Sequence, residues 1–342
     1  MKILITAPYH EQGRQQLADT FGEVIYRCWK DHGQAYQEDE LISLLQSTGA
    51  DAIIAELDQI TEKVIKAVPH LQFIGVCRGT PSNVDVPVAT DRRIPVFYTP
   101  ARNAQAVAEM VVGSLITFLR SIISSSQWLE AGEWQSGSLT AYLKFKGNEL
   151  AGKTVGMVGF GAVAQRTAGI LRSFPCDIRY YDPYVTSPDP RDQKVSLAEL
   201  FATSDIVSIH LPVTEDTKGL IGTELLQSMK KDAIFVNTAR SVVVDHHALV
   251  EQLQQNQIRG AIIDVFDQEP PLPKDYELIS LPNVLAIPHL AGATYEVEDH
   301  HVEIMNRALI EWFEHHNTAV KVLYNKAILE DINDDTTSLS SL

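Results

Sequence analysis

At 342 residues the chain exceeds one ordinary domain, and its length predicts two. Hydrophobic residues make up 45% and charged residues 21%, the balance of a globular protein with a buried core, and no apolar run reaches the ~18 residues that span a bilayer. A formal charge of −16 without any Lys/Arg cluster excludes a nucleic-acid surface and requires an anionic ligand to meet locally placed cations.

In chain order, short β-type runs alternate with helical patterns. The opening "MKILITAP" has one Lys and too short an apolar run for a secretory signal, and it reads as a first strand. The first series of predicted strands is 2–6, 23–26, 51–56, 72–77 and 94–98. A segment apolar almost all the way round, 103–129, follows, and it is expected to be buried in the core or against another subunit. The second series is 153–159, 177–182, 205–211, 233–239, 260–266 and 283–288. Most are continuous apolar runs, as in strands covered on both faces, and helical patterns such as 245–257 supply the crossovers of a parallel α/β sheet. A last apolar helix pattern runs through 302–316, and the acidic, Thr/Ser-rich end is expected to be disordered. Cys28, Cys77 and Cys176 are odd in number and far apart, without metal-ligand spacing; this predicts no metal site and fits a reducing cytoplasm.

The stretch "TVGMVGFGAVAQR" (154–166) asks for a particular reading. A strand leads into Gly159-Phe160-Gly161 and then a helix, the pattern Gly-x-Gly-x-x-Ala with Ala164 in third place. Gly159 allows a tight turn, Gly161 lets backbone N–H groups approach a pyrophosphate, and Ala164 keeps the helix near the strand. The next strand ends in Asp182, whose carboxylate suits ribose hydroxyls and repels a 2′-phosphate, and Pro183 follows instead of an Arg. The expected cofactor is NAD. The bland alternative is a plain strand-turn-helix with a solvated Asp182.

Three further residues follow predicted strand ends in the same block: Arg240, Glu269 and His289. Groups beyond the carboxyl ends of parallel strands converge on the ligand crevice. There an Arg holds a carboxylate bidentately, a His exchanges a proton near neutral pH, and a Glu orients the imidazole. Singly, Arg240 reads equally as a turn cap, Glu269 as a loop charge and His289 as a packing residue. Jointly they suit hydride transfer between a nicotinamide and a 2-hydroxy acid.

With these residues in view, the chain resembles the NAD-dependent D-isomer-specific 2-hydroxyacid dehydrogenases. The matching stretches are "GKTVGMVGFGAV", "YYDPYV", "SIHLPVTEDTKGLI", "AIFVNTARSVVVD", "GAIIDVFDQEP" and "NVLAIPHLAGAT", with "RNAQAVAE" upstream. The resemblance implies two doubly wound α/β domains of Rossmann or flavodoxin type, each with a parallel sheet, and a cleft between them. The expected boundaries are 1–101 plus 292–325 for substrate binding, 102–291 for NAD binding, and 326–342 as the tail. It implies Arg240 as substrate clamp, His289 as acid/base and Glu269 as its partner. It further implies NAD contacts at Gly159, Gly161, Ala162, Val163, Asp182, Thr238, Ala239 and Asp264, and a homodimer paired through 103–150. Glu269 stands where formate dehydrogenases of this superfamily carry Gln.

Within the family the look is nearest to 3-phosphoglycerate dehydrogenases, with one departure. Their substrate loop commonly reads Arg-Ala-Gly-x-Gly, whereas here Val76 takes the Arg position and the charge appears at Arg78. Arg78, Gly79 and Asn103 are the expected substrate contacts. Lys144 and Lys146 read equally as phosphate contacts and as solvated lysines. The same fold also serves NAD(H)-sensing corepressors, which stands as the alternative to an enzyme acting on a small anionic 2-hydroxy or 2-oxo acid.

Overall fold

The apolar runs of the first hundred residues are rich in β-branched side chains, which fit a pleated, buried surface. In the computed structural model, which describes residues 1–135 and 137–330, they form β1 (Ile3–Ile5), β2 (Val24–Tyr26), β3 (Ala52–Ala55), β4 (Phe73–Val76) and β5 (Val96–Tyr98). β1, β3 and β4 are buried throughout, while β2 is half-buried at the sheet edge. All pair in parallel in the order β2-β1-β3-β4-β5, so the winding direction reverses between β1 and β3. This sheet belongs to a compact unit made of Met1–Arg102 and the segment from Thr294 onward.

The returning helix Glu296–Phe313 places Val302, Met305, Ala308 and Leu309 on one face, at helical spacing, into the core with Ile3, Ile5, Phe73 and Phe97. The chain then crosses the β5 edge, where Asn325 Oδ1 accepts from Val96 N at 2.8 Å. Ile328 is buried in the same core. Of residues 326–330, expected from composition to open a disordered tail, Ile328 is thus seated in the core, whereas Lys326, Ala327 and Glu330 are exposed. The rest of that expected tail, 331–342, lies outside the described residues.

The second unit is Asn103–Ala293. Its strands are β6 (Thr154–Val158), β7 (Asp177–Tyr181), β8 (Gln193–Lys194), β9 (Ile206–Ile209), β10 (Ile234–Asn237), β11 (Gly260–Ile263) and β12 (Val284–Ala286). They form one parallel sheet in the order β12-β11-β10-β9-β6-β7-β8. Counted within the unit this is 3-2-1-4-5-6-7, a Rossmann order whose switch point falls between β6 and β9. β8, two exposed polar residues at the edge, has no apolar run to announce it. Apolar cores cover both faces of the sheet, with Val155, Met157, Ile206 and Val236 on one side and Val158, Val207, Ile209 and Phe235 on the other.

The apolar segment 103–129, expected to be buried in the core or against another subunit, is two helices. Ala104–Leu119 is largely buried against the Ala162–Leu171 helix, but Arg120 and Ser121 break the run, Ser121 at φ +52°, and Ile122–Glu130 continues with no buried residue. The two meet at 57°. Among the described residues no single helix is long and apolar enough to cross a membrane. Ile122, Ile123, Leu129, Trp134, Tyr142 and Leu143 are exposed along the second piece and its continuation. Lys144 and Lys146 lie there too, with their ammonium groups over the rings of Trp128 (5.1 Å) and Tyr142 (5.9 Å).

Candidate active site

The glycine turn lies at the carboxyl end of β6, on the switch point. Gly159 has φ +86°, and a Cβ there would stand 2.7 Å from the carbonyl oxygen of His210, which follows β9 on the neighbouring strand. Only glycine fits without displacing backbone. Gly161 caps the Ala162–Leu171 helix with no side-chain hydrogen bond, and a Cβ on it would meet nothing within 4 Å. The first helical N–H groups, those of Ala162 and Val163 among them, have no acceptor within the helix and lie at the positive end of its dipole. That is the chemistry a pyrophosphate requires.

Asp182 follows β7 and is nearly buried. Its Oδ2 accepts from Phe160 N at 2.7 Å and its Oδ1 from Tyr184 N and Val185 N at 2.8 Å. Burial pushes its protonation upward, but the three backbone donors outweigh this and hold the carboxyl below the ordinary aspartate value. The carboxylate therefore stays ionised beside the turn, with a lone pair left on Oδ2 for a ribose hydroxyl. Ring nitrogen Nε2 of His210 and hydroxyl Oγ1 of Thr238 are buried without a hydrogen-bond partner. An uncapped helix start, an ionised acid and an orphaned hydroxyl fit a dinucleotide better than they fit a closed structural turn.

Beyond β10, β11 and β12 lies a pocket of about 270 Å³ lined by Asn103, Thr238, Arg240, Asp264, His289 and Gly292, among others. Arg240 is exposed, and among the described residues its guanidinium makes one hydrogen bond, from Nη1 to the Ala239 carbonyl at 2.6 Å. His289 sits at φ +51°, a left-handed conformation uncommon for a side-chain-bearing residue and concentrated at functional sites. Asp264, fully buried after β11, holds the residues that follow: its Oδ1 accepts from Leu290 N at 2.8 Å and its Oδ2 from Ala291 N at 2.9 Å. Both oxygens grip the two residues behind His289 and fix its backbone. Burial raises the Asp264 carboxyl above its ordinary value in spite of those bonds.

Glu269 completes the arrangement. Its Oε2 lies 2.7 Å from His289 Nδ1, and its Oε1 accepts from Phe266 N at 3.3 Å. A carboxylate only accepts, so Nδ1 carries the hydrogen and the imidazole is left with Nε2 as its free nitrogen. Asn103, at the start of the Ala104–Leu119 helix, borders the same pocket, and a Cβ on Gly292 would meet its Nδ2 at 2.6 Å.

Arg240, Glu269, His289, Asp264, Thr238 and Asn103 are thus gathered at one end of one sheet. Ala239 is close by, although its N–H is already donated to Asn237 Oδ1 at 3.0 Å. Arg78 and Gly79 belong to the other unit, just beyond the carboxyl end of β4; no hydrogen bond or ion pair of the Arg78 side chain occurs among the described residues, and Gly79 is open on its Cβ side. Sequence reasoning missed the grip of Asp264 on the 290–291 backbone and the part of Asn237. The latter had a signal, an Asn ending a strand just ahead of a tight loop.

A parallel seven-stranded sheet with a dinucleotide turn at its switch point and a His–Glu pair with an Arg beyond its strand ends defines a nicotinamide-dependent dehydrogenase. The comparisons narrow this. Residues 112–291 match the family model "D-isomer specific 2-hydroxyacid dehydrogenase, NAD binding domain". A Bacillus subtilis (strain 168) protein named Putative 2-hydroxyacid dehydrogenase YoaD is 58% identical over 330 residues, 96% of each chain. A glyoxylate reductase of Thermofilum pendens is 37% identical over 314 residues, 90% of each chain. The solved structure of D-2-hydroxyisocaproate dehydrogenase superposes with a TM-score of 0.79 at 25% identity, covering 93% of this chain and 98% of that one. The chain belongs to the D-isomer-specific 2-hydroxyacid dehydrogenases and is an NAD-dependent enzyme of that family.

Proposed function

We propose that the enzyme interconverts a D-2-hydroxy acid and its 2-oxo acid with His289 as acid/base and Arg240 as the carboxylate clamp. The observation that carries this reading is the pairing of His289 Nδ1 with Glu269 at 2.7 Å beside a pocket that Arg240 also lines. Bound NAD or NADH supplies the hydride acceptor or donor; the remaining tasks fall to the chain. Arg240 holds the substrate carboxylate through its fork of N–H donors. His289 Nε2 takes the hydroxyl proton in oxidation and returns it in reduction, while Glu269 holds the ring and stabilises the imidazolium that forms. The helix start at Gly161, Ala162 and Val163, with Asp182, Thr238, Ala239 and Asp264, holds the dinucleotide.

The substrate reading has two forms. Arg78, a cation without a side-chain partner among the described residues, supports a second anionic group, as on 3-phosphoglycerate, with Gly79 and Asn103 as further contacts. The 37% identity to a glyoxylate reductase supports a smaller acid. The exposed apolar residues of 122–143 support a homodimer through 103–150.

The test is NADH oxidation against glyoxylate, pyruvate, hydroxypyruvate and 3-phosphohydroxypyruvate. A preference for the phosphorylated acid that Arg78→Ala abolishes supports the first form; equal or better use of glyoxylate overturns it. His289→Ala should lower turnover by about 10²–10⁴ with NADH affinity kept, as for loss of a placed acid/base. Wild-type turnover in that variant removes His289 from the chemistry.

A further inference from the structure

Among the described residues the Arg240 guanidinium makes a single hydrogen bond, to the carbonyl of its own neighbour, so its position rests on the backbone beneath it. That backbone is held by one side chain. Asn237, the last residue of β10, is 3% exposed, and its amide spans the loop: Nδ2 donates to the Arg240 carbonyl at 3.0 Å, and Oδ1 accepts from Ala239 N at 3.0 Å. The amide is itself anchored. β10 pairs with β9 on one side and β11 on the other, opposite Ile209 and Ile263, and the Asn237 carbonyl accepts from Asp264 N at 3.0 Å.

We infer that Asn237 is the positioning residue for Arg240, transmitting the rigidity of the central sheet to the substrate clamp. The inference rests on the reading of Arg240 as that clamp. An amide serves both bonds at any pH, because one end accepts and the other donates, whereas an ionised carboxylate only accepts. The neighbouring strand end works on the same plan: Asp264 grips the backbone behind His289 where both bonds call for an acceptor. The two buried residues thus differ in the one atom that their loops require to differ.

Asn237→Asp isolates the donor. Its carboxylate still accepts from Ala239 N–H but turns a second oxygen toward the Arg240 carbonyl. The KM for the preferred 2-oxo acid should rise about tenfold or more, the loss expected when a buried hydrogen bond becomes an opposition of two acceptors. The dissociation constant for NADH should rise by a smaller factor than the KM, since the helix start and Asp182 lie elsewhere on the sheet and the bond from Ala239 N, beside the remaining cofactor contacts, is kept. Burial against a carbonyl oxygen favours the protonated acid, and a protonated carboxyl donates again. The KM ratio of Asn237→Asp to wild type should therefore shrink as pH falls, a dependence that general loosening of the fold would not produce. Should Asn237→Asp fail to fold, Asn237→Ser retains a hydroxyl that serves one of the two bonds, and it should show the raised KM with NADH affinity kept.

Arg240→Ala, measured alongside, separates the two ideas. If Arg240→Ala leaves the KM unchanged, the clamp reading falls and this inference with it. If Arg240→Ala raises KM while the foldable Asn237 variant keeps wild-type KM, or raises it by a factor that pH does not alter in Asn237→Asp, the inference alone is overturned.

Discussion

Folding stability should depend on pH through His210. The residue follows β9 at the switch point, and its ring nitrogen Nε2 is buried without a hydrogen-bond partner. Desolvation favours the neutral ring and lowers its protonation from the ordinary 6.5 to about 4. The unfolded chain takes up the proton from about pH 6.5 downward and the folded chain only near pH 4. Within that window protonation favours unfolding: stability is full above it, falls as pH drops through it, and is level below it. Linkage with these two values makes the loss about 2 kcal/mol between pH 7 and pH 5, rising to roughly 3 kcal/mol at the acid limit. His210→Leu removes the titrating ring while keeping an apolar side chain of moderate size. Chemical denaturation of wild type and variant, followed by circular dichroism at about pH 7 and about pH 5, isolates the effect, because every other titrating group is common to both. The wild type should lose about 2 kcal/mol more than the variant over that interval. Parallel pH profiles would show that the imidazole is hydrated or paired in solution, and the reasoning would fail.

Two further outcomes follow from the same geometry. Gly159→Ala combines a positive φ with a Cβ 2.7 Å from a backbone oxygen, so it should cost about 2–4 kcal/mol and weaken NADH binding; a thermal midpoint and fluorescence titration matching wild type would contradict this. Ile123→Asp together with Leu143→Asp places charges on the apolar surface of the second helical piece and its continuation and should shift light scattering from dimer to monomer at micromolar concentration. A wild type that is already monomeric there would refute the dimer proposal.

The strands were legible because their signal is local. Runs such as "AIIA" in β3 and "GAII" in β11 are continuous apolar stretches of β-formers, and the period of a chain segment needs no knowledge of the rest of the molecule. The glycine turn and the Arg240, Glu269 and His289 positions were legible for a related reason: each follows a strand end, and parallel sheets gather such positions on one edge. What remained for the tertiary structure depends on partners distant in the chain. The break at Arg120–Ser121 has no Gly or Pro to mark it. The burial of Ile328 depends on a core built from the first hundred residues. The backbone that follows His289 is held by the distant carboxylate of Asp264, and the seat of Arg240 by an amide whose own strand is pinned from both sides. Residue identity along the chain thus determined which chemical groups were available and which elements carried them. Packing alone decided which atoms of those groups were already spent on the backbone and which, such as His289 Nε2, were left free to react.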